Sequence, residues 1–431
     1  MPGGEVLLLT GQTTTANTSC SPMIPDKPMN GNPSCATTLG PFRLDTPFLL
    51  ASGPPTASPE QIRRAFAAGW AGAVIKTIRP DGMVIEDLSP RLAAVKGAGG
   101  ELQGFENIEL LSKRTVSSWT AEIPAIKRDY PGKVLIASIM GTPDPEDWAA
   151  LARQVGAAGA DAIEMNVSCP HGMPEQGVGA ALGQNPSMVR ELTRAVCKAV
   201  DIPVIVKLTP NVTDIVPVAR AAEAGGAAMI SAINTIQCLS GIDIHSFEPL
   251  PSVGGFSSYG GYSGPAVKPV GLRVVSQIAS SVSLPVIGIG GVSRWEDAVE
   301  YLLAGASAVQ VCTAVMWHGS GIIREMTKGL GAYLAVKGMA SPDVLRGLAL
   351  PRLKPHQALD RGHRVWPVPG TPAACTACGR CVIACRDGGY HALSLHEGTL
   401  VIDRARCDGC SLCAHVCPEG AITLTRETGN G

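Results

Sequence analysis

The most specific chemical signal in the sequence is a pair of cysteine runs near its C-terminal end. The chain has fourteen cysteines, and those between residues 375 and 417 form two runs with the spacing C-x2-C-x2-C-x3-C. In this spacing the first three cysteines of a run bind one [4Fe–4S] cluster, and the fourth binds the other cluster. The predicted ligands are Cys375, Cys378, Cys381 and Cys417 for the first cluster, and Cys407, Cys410, Cys413 and Cys385 for the second.

A pair of zinc sites is the alternative for these cysteines. Zinc sites usually join two C-x2-C units across a longer gap, whereas each run here has overlapping steps and a trailing cysteine. The spacing therefore favours iron–sulfur clusters. Arg386 follows the first run where a proline is common, which leaves all the ligands in place. A structural role is predicted for Cys20, Cys35, Cys197 and Cys238.

A second candidate is Cys169, in the stretch NVSCPHGM, which glycines follow at 172, 177, 179 and 183. Such a cysteine could be a buried filler, a metal ligand or a residue that transfers a proton. An isolated cysteine is most often a small buried residue. A glycine-rich loop after a strand instead favours a catalytic role, because such loops can close over a substrate. His171 could relay protons or hold the loop.

Eight short apolar runs alternate with helical stretches such as 59–69, 145–159 and 185–200. Continuous apolar runs are typical of parallel strands that are covered on both faces. Eight such units predict a TIM barrel, and a doubly wound α/β sheet is the alternative. The predicted strands are FLLAS (48–52), GAVIK (72–76), VLIAS (134–138), AIEMN (162–166), VIVKL (204–208), AMISAIN (228–234), VIGIG (286–290) and AVQVC (308–312).

Polar and glycine residues follow these strands, and in a barrel all such positions meet at one face. The two positions after the seventh and eighth strands are where barrels commonly bind phosphate. Clusters carry single electrons, so two-electron chemistry beside them needs a converter, and FMN is predicted at this face. No G-x-G-x-x-G follows a strand, so no NAD or FAD site is predicted. The strand-end residues are Lys76, Thr77, Asn166, Lys207, Asn234, Thr235, Gly290, Gly291, Cys312 and Thr313.

Composition sets the domain organisation and excludes some partners. The chain has 431 residues, 45% of them hydrophobic, and a net charge of −1, which gives no reason to expect nucleic-acid binding. It has no apolar run of the roughly 18 residues that a membrane span needs and no signal peptide, so a cytoplasmic protein is expected. Loops at about 78–106 and 236–266 are long enough to be functional. The predicted parts are a partly disordered arm (1–38), an FMN-binding barrel (39–345), a linker (346–371) and a ferredoxin-like domain with two clusters (372–427).

Several longer motifs together give the sequence a specific resemblance. It resembles the pyrimidine-reducing part of dihydropyrimidine dehydrogenases, and most of all the catalytic subunit of the bacterial NAD-dependent enzymes, over about residues 38–425. The motifs that carry the resemblance include LSPRL, FENIELLS, NVSCPHGM, KLTPNVTDI, AINT, GGYSGPAVKP, GIGGV, QVCTA and CDGCSLCAHVCPEG.

The resemblance implies an FMN barrel fused to a two-cluster domain, which reduces uracil and thymine to their 5,6-dihydro forms. It implies hydride transfer to C6 and proton transfer to C5, with Cys169 as the catalytic acid. The implied pyrimidine-binding residues are Asn107, Glu109, Asn166, Asn234 and Thr235. The implied FMN-binding residues are Ala51, Ser52, Lys76, Thr77, Lys207, Ser263, Gly264, Gly290, Gly291, Cys312 and Thr313.

The resemblance also implies a partner. Mammalian members carry an NADPH- and FAD-binding half in the same chain, and this sequence lacks that half. Electrons are therefore expected from a separate flavoprotein subunit that binds FAD and NAD(H), in a hetero-oligomer. The alternatives are a dihydroorotate dehydrogenase, which would need a cationic partner for the carboxylate of orotate, and a non-catalytic electron-transfer component.

Overall fold

The computed structural model describes residues 33–83, 88–168, 180–362, 364–370 and 374–427. The chain divides into two compact units, residues 1–352 and 353–431, and each is described by itself. Within the described ranges, every helix is too short or too polar to span a bilayer. The predicted arm falls mostly outside these ranges, as do Cys20, Cys169 and His171.

The first unit contains fourteen strands and ten helices among its described residues. Its strands are β1 (Thr37–Leu39), β2 (Phe42–Leu44), β3 (Phe48–Leu50), β4 (Gly72–Val74), β5 (Leu92–Lys96), β6 (Leu102–Asn107), β7 (Val134–Ile139), β8 (Ala162–Asn166), β9 (Val204–Leu208), β10 (Met229–Ala232), β11 (Ile236–Cys238), β12 (Gly260–Ser263), β13 (Val286–Ile289) and β14 (Ala306–Val311). Its helices are α1 (Pro59–Ala68), α2 (Val116–Asp129), α3 (Pro145–Ala157), α4 (Ala180–Gly183), α5 (Pro186–Ala199), α6 (Val216–Gly225), α7 (Lys268–Ala279), α8 (Trp295–Leu303), α9 (Thr313–His318) and α10 (Ile323–Val336).

Eight of these strands form a closed parallel barrel in the order β3-β4-β7-β8-β9-β10-β13-β14, and β14 pairs with β3. The order follows the chain, as in a TIM barrel. Every one of the eight predicted strands overlaps one of these strands, and the predicted fold is confirmed. The doubly wound sheet is excluded by the closure.

The first residue of several helices is fixed by a polar side chain that directly precedes the helix. Ser58 precedes α1 and accepts a hydrogen bond from the backbone N–H of Gln61, whose side chain accepts one from Ser58 N–H. Asn185 accepts from the backbone of α5 in the same way. These caps satisfy N–H groups that have no partner inside the helix, and so they fix where each helix begins.

Alternate residues of each barrel strand face two different cores. In β7, Val134 and Ile136 belong to the core inside the barrel, whereas Leu135 and Ala137 belong to the core between the barrel and its helices. The β1–β2 hairpin contributes Leu39 and other residues to the inner core. The interior is therefore filled with apolar side chains at the end where the hairpin lies.

The two long loops were predicted as loops only, but they contain four strands, which the sequence analysis did not predict. The loop after β4 contains β5 and β6, and the loop after β10 contains β11 and β12. They form one antiparallel sheet in the order β11-β12-β6-β5, in which Asn107 lies opposite Gly261. The two predicted functional loops thus meet in a single structure.

The second unit contains β15 (Arg364–Pro369), α11 (Arg380–Asp387), β16 (Leu393–His396), β17 (Thr399–Ile402), α12 (Leu412–His415) and β18 (Ile422–Glu427). Strands β15 and β18 are antiparallel, and so are β16 and β17. The unit boundary falls inside the predicted linker, and β15 belongs to the sheet of the second unit. The other predicted domain limits remain predictions.

Gly72 tests how tightly the barrel wall is packed. A Cβ on Gly72 would lie 2.6 Å from Leu49 Cδ2 and 2.7 Å from the carbonyl oxygen of Val134. We expect Gly72→Ala to lower the free energy of unfolding by about 1–3 kcal/mol, because overpacking forces neighbours to move. The thermal midpoint, followed by tryptophan fluorescence, measures the effect.

The matched control is Gly132→Ala, since Gly132 is exposed and a Cβ there meets no atom within 4 Å. Its midpoint should stay close to that of the unchanged chain. Equal midpoints for the two variants would contradict tight packing at Gly72.

Candidate active site

A large cavity lies at the carboxyl ends of the barrel strands and under the antiparallel sheet. It contains about 1160 Å³ of space free of protein atoms, counting the part that opens to solvent. Concave sites lined by apolar residues and a few polar groups are the usual binding sites of small molecules. Cys169 lies outside the described residues. The predicted pyrimidine- and FMN-binding residues all line this cavity, namely Ala51, Ser52, Lys76, Thr77, Asn107, Glu109, Asn166, Lys207, Asn234, Thr235, Ser263, Gly264, Gly290, Gly291, Cys312 and Thr313.

A chain of hydrogen bonds joins side chains at the carboxyl ends of β3, β4, β8 and β10. Asn166 Nδ2 donates to Thr77 Oγ1 at 3.0 Å, and Thr77 Oγ1 lies 3.2 Å from Ser52 Oγ. Asn234 Nδ2 donates to Asn166 Oδ1 at 3.2 Å and to Ser168 Oγ at 2.8 Å. Because each amide is held by a neighbour, the orientation of the two carboxamides in the cavity is set before any ligand binds.

Lys76 and Glu109 form an ion pair at the cavity wall. Their side chains are 12% and 13% exposed, so the pair is partly shielded from solvent. Arg91 Nε lies 3.7 Å from the same carboxylate oxygen of Glu109. The charge of Lys76 is therefore offset locally by a carboxylate from the loop after β6.

Lys207 lines the cavity from strand β9, and its side chain is almost completely buried. Its Nζ lies 3.7 Å from Oε2 of Glu164, a fully buried residue of β8. Glu164 Oε1 accepts hydrogen bonds from Ser231 Oγ at 2.9 Å and from Gln310 Nε2 at 2.8 Å. Glu164 and Gln310 were not predicted; a charged residue inside the apolar run AIEMN is the signal that could have identified Glu164.

The rim after β13 is made of backbone without side chains. Gly290 and Gly291 have φ values of 120° and 71°, which L side chains rarely adopt. A Cβ on Gly291 would lie 2.8 Å from Lys268 Cβ. Tyr301 is buried and donates a hydrogen bond to the carbonyl oxygen of Gly290 at 2.7 Å. Backbone that is held in place and free of side chains suits close approach by a phosphate group.

Hydrogen bonds tie the antiparallel sheet to the cavity. Asn107 Nδ2 donates to the carbonyl oxygen of Gly261 at 3.2 Å, within the β6–β12 pair. Thr313 Oγ1 donates to Ser263 Oγ at 2.9 Å, which links the end of β14 to β12. The sheet therefore brings Asn107, Ser263 and the aromatic ring of Phe105 into the wall of the cavity.

Cys312 also lines the cavity, at the point where β14 ends. Burial raises the pKa of its thiol to about 11; Glu109 acts in the same direction, and the lowering effects of Lys207 and Lys76 are smaller than that of burial. The group is therefore a neutral thiol at neutral pH. It is suited to packing against a ligand and not to nucleophilic attack.

The cysteines of the second unit surround two separate cavities. Cys417 lines one cavity with the first three cysteines of the first run, and Cys385 lines the other with the first three of the second run. This is the crossed grouping that the spacing predicts. Among the described residues, no three cysteines, histidines or carboxylates are arranged to hold a single metal ion. Four cysteines around each cavity are the ligand set that a [4Fe–4S] cluster needs.

Both units match families of known proteins. Residues 34–334 match the family model described as dihydroorotate dehydrogenase, and residues 371–424 match the model described as a 4Fe-4S dicluster domain. The chain is 41% identical, over 387 residues, to the NAD-dependent dihydropyrimidine dehydrogenase subunit PreA of Escherichia coli strain K12. That match covers 89% of this chain and 93% of the relative.

Two other relatives differ in how much of the chain they cover. The chloroplastic dihydropyrimidine dehydrogenase (NADP(+)) of Arabidopsis thaliana is 36% identical over 338 residues, or 76% of this chain and 79% of that protein. The catalytic subunit of dihydroorotate dehydrogenase B (NAD(+)) of Pyrococcus abyssi is 42% identical over 310 residues. That match covers 97% of the relative but 72% of this chain.

The crossed grouping of the cysteines can be tested by single substitutions. We expect Cys385→Ser to damage the cluster whose other ligands come from the second run, because its thiolate completes that cavity. The iron content should fall to about half. The low-temperature electron paramagnetic resonance spectrum of the reduced variant should match that of Cys410→Ser.

Cys378→Ser is the matched control, since Cys378 lines the other cavity. Its remaining spectrum should differ from that of Cys385→Ser. If Cys385→Ser and Cys378→Ser leave the same spectrum, each run binds its own cluster and the crossed grouping is wrong.

Proposed function

The chain belongs to the dihydroorotate dehydrogenase family, and on that premise we propose that it is the catalytic subunit of an NAD-linked dihydropyrimidine dehydrogenase. In this role it reduces uracil or thymine to the 5,6-dihydro form, reversibly. The observation that carries the proposal is the combination, in one chain, of the barrel cavity and a dicluster domain. The likeness to PreA extends over 89% of the chain and so includes residues beyond the barrel match.

The residues around the cavity fit FMN. The side-chain-free rim at Gly290 and Gly291 suits its phosphate, and the ammonium of Lys207 suits the polar edge of its ring system. When bound, FMN supplies the two-electron hydride chemistry that clusters cannot supply. Ser52 and Thr77 also line the cavity, and their hydroxyl oxygens lie 3.2 Å apart.

A neutral pyrimidine fits the polar groups that remain. Uracil presents alternating donors and acceptors, and a carboxamide offers one of each. Asn107, Asn166 and Asn234 line the cavity, and the last two hold each other in a fixed orientation. These three side chains, with Glu109 and Thr235, are therefore proposed to bind the base.

The alternative activity is that of a dihydroorotate dehydrogenase. The catalytic subunit of dihydroorotate dehydrogenase B from Pyrococcus abyssi is 42% identical to this chain over 310 residues. The carboxylate of orotate needs a cation that is free to pair with it. Lys76 lines the cavity, and the carboxylate of Glu109 beside it already offsets its charge. The pairing favours an uncharged pyrimidine over orotate.

A proton must reach C5 of the pyrimidine when hydride reaches C6. Ser168 hydrogen-bonds to Asn166 and Asn234, so the chain is still at the cavity one residue before position 169. A cysteine thiol with a pKa of about 8.5 is protonated at neutral pH and releases its proton readily. Cys169 is therefore proposed as the general acid.

Electrons are proposed to arrive through the two clusters from a separate subunit with FAD and an NAD(H) site. The relative PreA is named as a subunit, which supports a partner. The sequence has no dinucleotide-binding fingerprint after a strand, so the chain itself is not expected to bind NAD(H).

The role of Cys169 is tested by replacing it with alanine. Cys169→Ala should retain FMN and iron and lose about 10²–10⁴-fold in the rate of uracil reduction, which is the usual contribution of a general acid. Cys197→Ala is the control, because Cys197 lies on α5 and does not line the cavity. A near-normal rate for Cys169→Ala would refute the assignment.

The need for a separate NAD(H)-binding subunit is tested with the purified chain alone. Under anaerobic conditions it should reduce uracil with an artificial electron donor and should not oxidise NADH. Dihydrouracil should bleach the bound flavin, whereas dihydroorotate should not. Uracil-dependent NADH oxidation without a second subunit would show that the chain has its own nucleotide site, and bleaching by dihydroorotate alone would favour the alternative activity.

A further inference from the structure

A buried polar cluster lies inside the barrel, directly beneath the cavity. Glu164, Lys207, Ser231 and Gln310 come from four strands, β8, β9, β10 and β14. All four residues are at most 5% exposed. A barrel interior is usually filled by branched apolar side chains, so a carboxylate at this depth needs a specific explanation.

The cluster has two levels. Lys207 and Gln310 line the cavity, whereas Glu164 does not and lies behind them. Glu164 Oε1 is fixed by hydrogen bonds from Ser231 and Gln310, and its Oε2 faces Lys207 Nζ at 3.7 Å without a hydrogen bond. Glu164 therefore cannot touch a ligand in the cavity and acts on it through Lys207 and Gln310.

We propose that Glu164 is a positioning residue that holds Lys207 at the floor of the cavity and offsets its charge, thereby lowering the reduction potential of the bound flavin. The proposal rests on the proposed function, in which a flavin occupies this cavity. It goes beyond that function, because it assigns control of the potential to a residue that the cofactor does not contact.

The direction of the effect follows from the order of the charges. Reduction adds negative charge to the cofactor, and the ammonium of Lys207 stabilises that charge. The carboxylate of Glu164, one layer further away, opposes part of this stabilisation. Removing the negative charge of Glu164 therefore favours the reduced cofactor, and removing the positive charge of Lys207 disfavours it.

The hydrogen bonds of Glu164 serve to keep its carboxylate at a fixed distance from Lys207. Gln310 and Ser231 donate to the same oxygen, so the other oxygen is left to face the ammonium. A buried charge that is both paired and hydrogen-bonded is held in position. The pair therefore forms a stable, electrically neutral floor.

The test is an anaerobic redox titration of the intact chain with its flavin and clusters, with the cluster absorbance subtracted. In Glu164→Gln the ratio of reduced to oxidised flavin at a fixed potential should rise about tenfold, or about 30 mV for a two-electron couple. Lys207→Gln should shift the ratio in the opposite direction. Glu223→Gln removes a carboxylate on α6, away from the cavity, and should leave the ratio close to that of the unchanged chain.

Glu164→Asp keeps the experiment decisive if Glu164→Gln does not fold. A shorter carboxylate lies further from Lys207, so the shift should have the same sign as that of Glu164→Gln and be smaller. An unchanged or lower ratio in either folded Glu164 variant overturns the proposal. If the unchanged chain binds no flavin, the proposed function fails instead, and flavin analysis of that chain distinguishes the two failures.

Discussion

Closure of the barrel is the constraint on which the site depends. Because the eight strands are parallel and each pairs with two neighbours, their carboxyl ends form one ring. Residues that are far apart in the chain, such as Ser52 and Thr313, reach the same cavity for this reason alone. The long loops after β4 and β10 begin at this ring and pair with each other through β6 and β12. The barrel strands therefore position both the floor of the cavity and the antiparallel sheet that covers it.

The barrel interior changes from apolar to polar along its axis. The inner core near the β1–β2 hairpin contains residues such as Leu39, Ile136 and Ile205. In β8 and β9 the next inward positions towards the cavity are Glu164 and Lys207. The apolar part stabilises the barrel, and the polar part can be buried because its charges are paired. The same strands therefore carry apolar residues near the hairpin and charged residues near the cavity.

Much of this fold could be predicted because parallel barrel strands are buried on both faces and appear as continuous apolar runs. Residues at strand ends, such as Lys76 and Asn234, could be located from the same runs. The strands β5 and β12 could not be predicted in this way. The residues of β5 alternate between exposed and partly buried, and β12 is rich in glycine. Glu164 was missed because its role depends on partners from three other strands, and that pairing is a property of the barrel.

The two lysines of the cavity are paired in ways that suit different ligands. Lys76 and Glu109 both line the cavity, so a substrate meets both charges together and gains little from being an anion. Lys207 lines the cavity while Glu164 lies behind it, so a ligand there meets the positive charge first. In the proposed function, selection among pyrimidines would therefore rest on the carboxamides, whose hydrogen bonds distinguish donors from acceptors. In the proposed function, the second pair would lie where charge changes during the reaction, and its nearer and further charges would affect the oxidised and reduced cofactor unequally.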